Sequence, residues 1–255
     1  MSTEATAIPP WPAGTGRILL DETDSTMAEA RRRMGELDAP TWILARHQTG
    51  AQGRRGRPWA HPPGNFAATL AMRPGGGPAA AALRSFTAAL ALHDTLSALT
   101  DPADLALKWP NDVLLCGGKV AGILLEAGGA AGRADWLSIG IGVNLVAAPP
   151  PEAVEPGATP PVSVAAVGGR AEDPVEVLGR LAGAFDAWEG RFRAYGFAPL
   201  RAAWLDRAAR LGETITARTM TETLQGRFET VDDTGQLVLL TPEGRRVIPA
   251  AEVFF

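Results

Sequence analysis

Short apolar runs bounded by turn residues make up most of the chain, while two longer stretches keep helical spacing. Arg17 to Leu20, Thr41 to Arg46, Asn65 to Arg73, Leu105 to Trp109, Val120 to Leu125 and Trp136 to Asn144 each have the length and composition of a strand. The first helical stretch follows the break Pro74-Gly75-Gly76-Gly77-Pro78 and runs from Ala79 to Leu99. The second, Pro174 to Tyr195, spaces Val175, Leu178, Leu181, Phe185, Trp188 and Phe192 as a core-facing stripe. A shorter helix is expected from Thr26 to about Met34, because Thr26-Met27-Ala28-Glu29 has capping-box spacing. Strands grouped centrally with helices before and after them predict an α+β fold, a mixed β-sheet covered by helices.

From near Leu211 to Phe255 the pattern changes to short strands, with turns at Asp232-Asp233-Thr234-Gly235 and Pro242-Glu243-Gly244, which reads as a small β-barrel. Three segments are therefore expected: residues 1–15 as a disordered tail, residues 16–209 as the sheet-and-helix domain, and residues 210–255 as the barrel. Ala147 to Pro161, rich in proline and glycine, reads as a surface loop.

Composition narrows the function classes. At 255 residues and 46% hydrophobic, the chain can bury one sizeable core and still carry a small second domain. A net charge of −4 offers no general attraction to nucleic acid or anionic membranes, so any basic function is local, as in the cluster Arg54, Arg55 and Arg57. The single cysteine, Cys116, excludes an internal disulfide and a multi-cysteine metal site, and a cytoplasmic location is the simplest. The opening MSTEATAIPPWPAG lacks the pattern of a secretory signal, and Arg84, His93 and Asp94 interrupt the longest apolar stretch, so no membrane partner is expected. His47, His61 and His93 are scattered without metal or triad spacing, and no protein metal site is expected.

The densest chemistry lies in residues 108–126, KWPNDVLLCGGKVAGILLE. Of 24 basic residues only Lys108 and Lys119 are lysine. A lysine kept in an arginine-biased chain is either chance or a place that needs a compact ammonium with rotatable donors. Turns at Pro110-Asn111-Asp112 and Gly117-Gly118 put Lys119 at the start of an apolar strand. Upstream, Gly50, Gly53 and Gly56 are interleaved with Gln52 and three arginines, and Trp59 closes the run. Such a loop is either solvated or brings backbone donors and guanidinium forks to a phosphate. Ser25 and Thr26 sit at a helix start, where hydroxyls cap the helix or meet a ligand's polar head. Gln48, with an amide that both donates and accepts, follows a strand.

Four of these motifs, in the same order, resemble the biotin protein ligases. KWPND followed by Lys119-Val120-Ala121-Gly122-Ile123-Leu124 resembles that family's signature, QTGAQGRRGRPW its glycine-arginine adenylate loop, Asp24-Ser25-Thr26 its biotin-ring segment, and Gly140-Ile141-Gly142-Val143-Asn144 its later strand with an adenine-side asparagine. The resemblance implies an SH3-like barrel after the catalytic domain. It implies ATP-dependent formation of biotinyl-5'-AMP, with Mg²⁺, and transfer of biotin to a lysine of a biotin carboxyl carrier protein. Lys119 and Arg54 would then be catalytic. Gln52, Gly53, Arg55 and Arg57 would join them at the phosphates, Ser25, Thr26 and Gln48 would hold biotin, Trp59 and Asn144 would face the adenine, and Met27 and Gly122 would also belong to the binding site. Asp112 either orients the incoming amine or shapes its turn. Gln52 stands where the family commonly has arginine, which matters only if that position acts through its side chain.

Other readings have less support in the residues. A lipoate ligase would share the adenylate chemistry, but its Arg-Arg-x-Ser/Thr-Gly-Gly-Gly signature is missing. A repressor would need a recognition helix, which the roughly twenty proline-rich residues before Asp21 do not provide, so no DNA partner is expected. A catalytically dead biotin binder is disfavoured by both lysines and the arginine loop. A homodimer stays open.

Overall fold

The computed structural model describes residues 7–155 and 157–255. Its larger part is a seven-stranded mixed sheet in the order β1-β2-β3-β7-β6-β5-β4. The strands are β1 (Gly16–Thr23), β2 (Thr41–Gln48), β3 (Phe66–Met72), β4 (Leu105–Lys108), β5 (Asp112–Leu115), β6 (Gly118–Gly128) and β7 (Trp136–Val143). Among the strand pairs of the described residues, only β1 and β2 run in parallel. The helix between them, α1 (Thr26–Arg33), makes the crossover that a parallel pair requires.

Both faces of this sheet are covered, which explains why β2 reads as a continuous apolar run and not as an alternation. Trp42 and Leu44 join the main core with Phe66, Ala68 and Leu70, under α3 (Arg84–Leu96) and α4 (Pro174–Tyr195). Trp42 meets Phe185 edge-on at 5.8 Å. Ile43 points the other way, into a smaller cluster with Ala30 of α1, Met34 at its C-cap, and Ala71.

Several sequence expectations need correction. The capping box at Thr26 does not form: Ser25 is the cap, its Oγ accepting from Met27 N at 3.2 Å, while the Glu29 carboxylate is taken by Arg32 and Arg33. The helix expected over Ala79 to Leu99 is two, α2 (Pro78–Ala82) and α3. They divide at Leu83, where Phe86 N reaches back only three residues to Leu83 O. The next residue, Arg84, is buried, paired with Glu189 and donating to the Pro74 and Ala80 carbonyls. A further helix that the sequence pattern does not predict, α5 (Ala198–Leu205), packs its Trp204 on Phe86. Of the tail expected over residues 1–15, residues 1–6 lie outside the described residues. Beyond them, Ile8 and Pro9 press on Gly179 and Gly183 of α4, and Trp11 Nε1 donates to Thr15 O at 2.7 Å. Small helix residues open the surface that holds this stretch.

The second sheet is antiparallel, in the order β11-β10-β9-β8-β12. Its strands are β8 (Thr214–Arg218), β9 (Thr223–Val231), β10 (Leu237–Thr241), β11 (Gly244–Ile248) and β12 (Glu252–Phe254). No pairing joins its end strands among the described residues, so it is open and not a closed barrel. Yet Ile248 and Glu252, on opposite edges, are linked by a chain able to span at most about 14 Å. A flat five-stranded sheet would set its edges about 19 Å apart, so this one must curl. It docks on the first part through its β9–β10 turn: Gly235 lies against Phe86 and Leu83, and its carbonyl accepts from Trp109 Nε1 at 3.0 Å. No helix among the described residues is long and apolar enough to cross a membrane.

Candidate active site

Strand register builds the floor of one large cleft, about 520 Å³. Ala67 pairs with Gly142, Gly142 with Gly122, Gly122 with Asp112 and Asp112 with Lys108. These five residues form one row across β3, β7, β6, β5 and β4, and all of them line the cleft. Side chains in such a row share a face of the sheet. The two glycines empty its middle, and its far end carries charge.

Trp59 fills part of that emptied middle. A Cβ on Gly142 would come 2.6 Å from its indole, and one on Gly122 3.3 Å. Gly140, two residues back in β7, does the same for Met27, whose Sδ would be 2.7 Å from a Cβ there. The alternation in Gly140-Ile141-Gly142-Val143 thus has a packing reason: Ile141 and Val143 enter the core, and the glycines admit Met27 and Trp59.

At the β3 end, Gln48 Oε1 accepts from Thr26 N at 2.8 Å and from Thr26 Oγ1 at 3.1 Å, and Thr69 Oγ1 donates to Thr26 Oγ1 at 2.9 Å. The amide nitrogen of Gln48 is then the group left to face the cleft. Ser25 Oγ caps α1 as an acceptor, which leaves its hydroxyl proton free to donate. Capping and ligand binding are compatible here. Both hydroxyl residues line the cleft.

Asn144 is 2% exposed. Its Nδ2 donates to Val162 O at 3.1 Å, which fixes the amide, and its buried Oδ1 has no partner. A buried acceptor left this way is costly unless a ligand N–H meets it.

Lys119 Nζ lies 2.7 Å from Asp112 Oδ1 and 5.7 Å from the centroid of the Trp59 ring. The contact with Asp112 is an ion pair without hydrogen-bond alignment, so Oδ1 keeps an unused lone pair. A bulge brings Lys119 here. Val113 pairs with Ala121 but Leu114 with Lys119, so Val120 is extra. Strict alternation would turn Lys119 and Gly122 to opposite faces; the inserted residue returns both to the cleft.

The glycine-arginine loop closes on itself through Gly53 N to Arg57 O at 2.8 Å and Trp59 N to Ala51 O at 2.9 Å. Arg55 and Gly56 take positive φ in the turn. Gln52 pairs its backbone with Pro58 and exposes its side chain. The three arginines separate. Arg54 is half-buried and reaches Asn111 Oδ1 at 3.3 Å. Arg55 and Arg57 are exposed and held by carboxylates: Arg55 by Glu252 at 2.8 Å, Arg57 by Glu252 at 2.6 Å and by Glu155 at 2.7 Å. Arg218 of the second sheet closes the network, at 2.6 Å from Glu155 and 2.9 Å from Glu252.

Every candidate named from the sequence lines this one cleft. The loop expected at the surface, Ala147 to Pro161, folds back as a wall of it, tied to β6 by Lys119 N to Pro160 O at 2.7 Å and Val162 N to Lys119 O at 3.0 Å. Sequence reasoning missed Asn111, Glu155, Thr159, Glu252 and Phe254, and left Lys108 without a place in the site. Lysine scarcity had already marked Lys108; nothing local marks Glu252. His61 and His93 are buried and His47 is exposed, all off the cleft lining.

Glu252 yields a prediction that needs no ligand. Its carboxyl is held down to about 2, the hydrogen bonds and charges of Arg57, Arg218 and Arg55 outweighing the opposing effect of burial. A lowered folded-state pKa adds stability above the unfolded value, near 4.5, which is lost as pH falls toward 2. The melting-temperature difference between the parent and Glu252→Gln should therefore shrink between about pH 6 and about pH 3, and a constant difference would exclude the linkage.

Comparison with known proteins agrees with this architecture. Residues 18–144 match the biotin/lipoate A/B protein ligase family, and residues 211–255 match the biotin protein ligase C terminal domain. A biotin--[acetyl-CoA-carboxylase] ligase of Paracoccus denitrificans is 58% identical over 93% of this chain and 99% of its own length. A bifunctional ligase/repressor of Bacillus subtilis is 29% identical over 94% of this chain and 74% of its own. In fold, the chain is similar to a biotin protein ligase from Aquifex aeolicus in complex with biotin and ATP, with a TM-score of 0.75 at 24% identity over 93% of this chain and 97% of the other.

Proposed function

The chain belongs to the biotin/lipoate A/B protein ligase family, and from that membership we propose that it is an ATP-dependent biotin protein ligase acting on a biotin carboxyl carrier protein. The observation that carries this reading is the cleft over the cross-strand row, which has the hydrogen-bonding groups of Thr26 and Gln48 at one end, the Trp59 slot over its glycines in the middle, and Lys119 and Lys108 toward the other. A carboxylate is a poor acyl donor until one of its oxygens can leave. Attack of a biotin carboxylate oxygen on the α-phosphorus of ATP forms the mixed anhydride and breaks the bond to the β-phosphate oxygen, which departs as pyrophosphate. The amine of a carrier lysine then takes the acyl group and releases AMP.

Each role falls to a side chain already placed. Gln48 Nε2 and the Ser25 hydroxyl suit the acceptor oxygen of the ureido ring, with Thr26 braced behind them and Met27 against the apolar part of the ligand. Trp59 offers the adenine a face, over Gly122 and Gly142, and Asn144 Oδ1 offers an acceptor for an exocyclic N–H. Lys119 and Arg54 stabilise charge on the α-phosphate. Gly53 and Gln52 act through the loop backbone, and Arg55 and Arg57 hold the loop against the second sheet and turn to phosphate when it is bound. Asp112, with its unused lone pair, orients the incoming amine.

Magnesium would arrive with the nucleotide. No group of three or more His, Cys, Asp or Glu side chains forms a metal cage among the described residues, but a nucleotide-borne Mg²⁺ needs only one or two carboxylates besides phosphates and water. Asp112 fits that need, and the ion would neutralise phosphate charge. The test is biotin-dependent exchange between ATP and pyrophosphate by the purified protein. Exchange that requires biotin is expected, and exchange with lipoate in its place would overturn the substrate.

A further inference from the structure

We propose that Lys108 binds the β- and γ-phosphates of ATP and receives the charge of the departing pyrophosphate. The proposal rests on the ligase reading above and assigns to that site a residue which the sequence singled out without a task.

The argument begins with register. Lys108 ends the row that starts at Ala67, two strands beyond Gly122 or about 10 Å at ordinary strand spacing. Thr26, Met27 and Gln48 lie at the opposite end, over β3 and β7. In phosphoryl transfer the attacking and leaving oxygens are roughly in line on opposite sides of phosphorus. A carboxylate approaching from the β3 side, with the α-phosphate at Lys119 on β6, sends the leaving group toward β5 and β4, where Lys108 stands.

The second observation is charge. Lys108 is 7% exposed, yet no carboxylate pairs with it among the described residues. Its Nζ meets Thr159 Oγ1 at 2.6 Å and sits 4.7 Å from the centre of the Phe255 ring. Lys119, more exposed, has the carboxylate of Asp112 beside it. Burying an ammonium without a counter-ion carries a desolvation cost, which an anion brought by the substrate would offset. Burial first, and the nearby Lys119 charge as well, push the Lys108 pKa below the ordinary lysine value, with Asp112 opposing. Thr159, on the wall formed by the folded-back loop, aims the ammonium.

Lys108→Gln and Lys108→Arg separate this from a packing role. In ATP–pyrophosphate exchange, Lys108→Gln should raise KM for pyrophosphate about 10- to 100-fold, the range for losing a hydrogen bond to a charged group, and Lys108→Arg should recover most of it. Transfer of biotin from synthetic biotinyl-AMP, which involves no pyrophosphate, should fall by much less. An unchanged KM for pyrophosphate, or equal losses in exchange and transfer, would overturn the assignment. If Lys108→Gln does not fold, the parent still decides: having two lysines, it can be acylated and mapped by mass spectrometry. Magnesium pyrophosphate should protect Lys108, and labelling of Lys108 at the same rate with and without it would refute the proposal. A parent without biotin-dependent exchange would instead refute the ligase reading, while the protection measurement would still report on the anion site.

Discussion

Lys119→Gln should remain folded and lose adenylate formation by about 100- to 1,000-fold, the range for removing one preorganised group that meets developing charge. The ammonium sits between the Asp112 carboxylate and the Trp59 ring, half-buried at the centre of the cleft. As the α-phosphate is attacked, its oxygens need a fixed positive charge that requires no rearrangement. Glutamine has similar length and can donate, but is neutral. The fold should survive because Lys119 is tied to the wall through its backbone, to Pro160 and Val162. Biotin-dependent exchange and a thermal melt decide the matter together: near-normal exchange would remove Lys119 from the chemistry, and a collapsed melt would show that the ion pair with Asp112 is structural.

Arg54→Gly should make the adenylate but fail to keep it. Arg54 is the loop arginine that turns inward, bridging to Asn111 at the floor, whereas Arg55 and Arg57 hold the loop's outer side to Glu252 and Glu155. Removing it deletes the inner strap and adds backbone freedom beside a turn that already uses positive φ at Arg55 and Gly56. A mixed anhydride is safe only while water and stray amines are excluded. Escape should rise about 10- to 100-fold, in proportion to a lost hydrogen bond from a charged group. The purified variant should then biotinylate albumin, which the parent does not. Adenylate formation with label confined to a carrier domain would show that the loop binds phosphate without acting as a lid.

The sequence by itself determined most of the elements and the residues that gather in the cleft. Apolar runs of strand length named six of the seven strands of the large sheet, all but the short β5 between two turns, because a sheet buried on both faces leaves little room for polar alternation. The residues that resemblance picked out converge on one cleft, because each is a local device: glycines where an indole or a thioether must approach, a serine at a helix start, an asparagine fixed by one carbonyl.

Tertiary structure decided what depends on partners distant in the chain. The pairing of Asp112 with Gly122 and of Leu114 with Lys119 makes Val120 a bulge, and that single inserted residue turns Lys119 toward the cleft; the strand's own alternation points it away. The second sheet curls because β11 and β12 take opposite edges yet are joined by a short link, while its edges remain unpaired among the described residues; the turn signals are the same for a closed barrel, so that outcome is decided by packing. Glu155 and Glu252 reach Arg57 from 98 and 195 residues away, so no local window could reveal that two of the three loop arginines face carboxylates. Lys108 was visible as a rare residue, but its burial without a counter-ion depends on Thr159 and Phe255, both far along the chain. Charge and register are collective properties of the folded chain, and for that reason they were beyond what residue pattern could express.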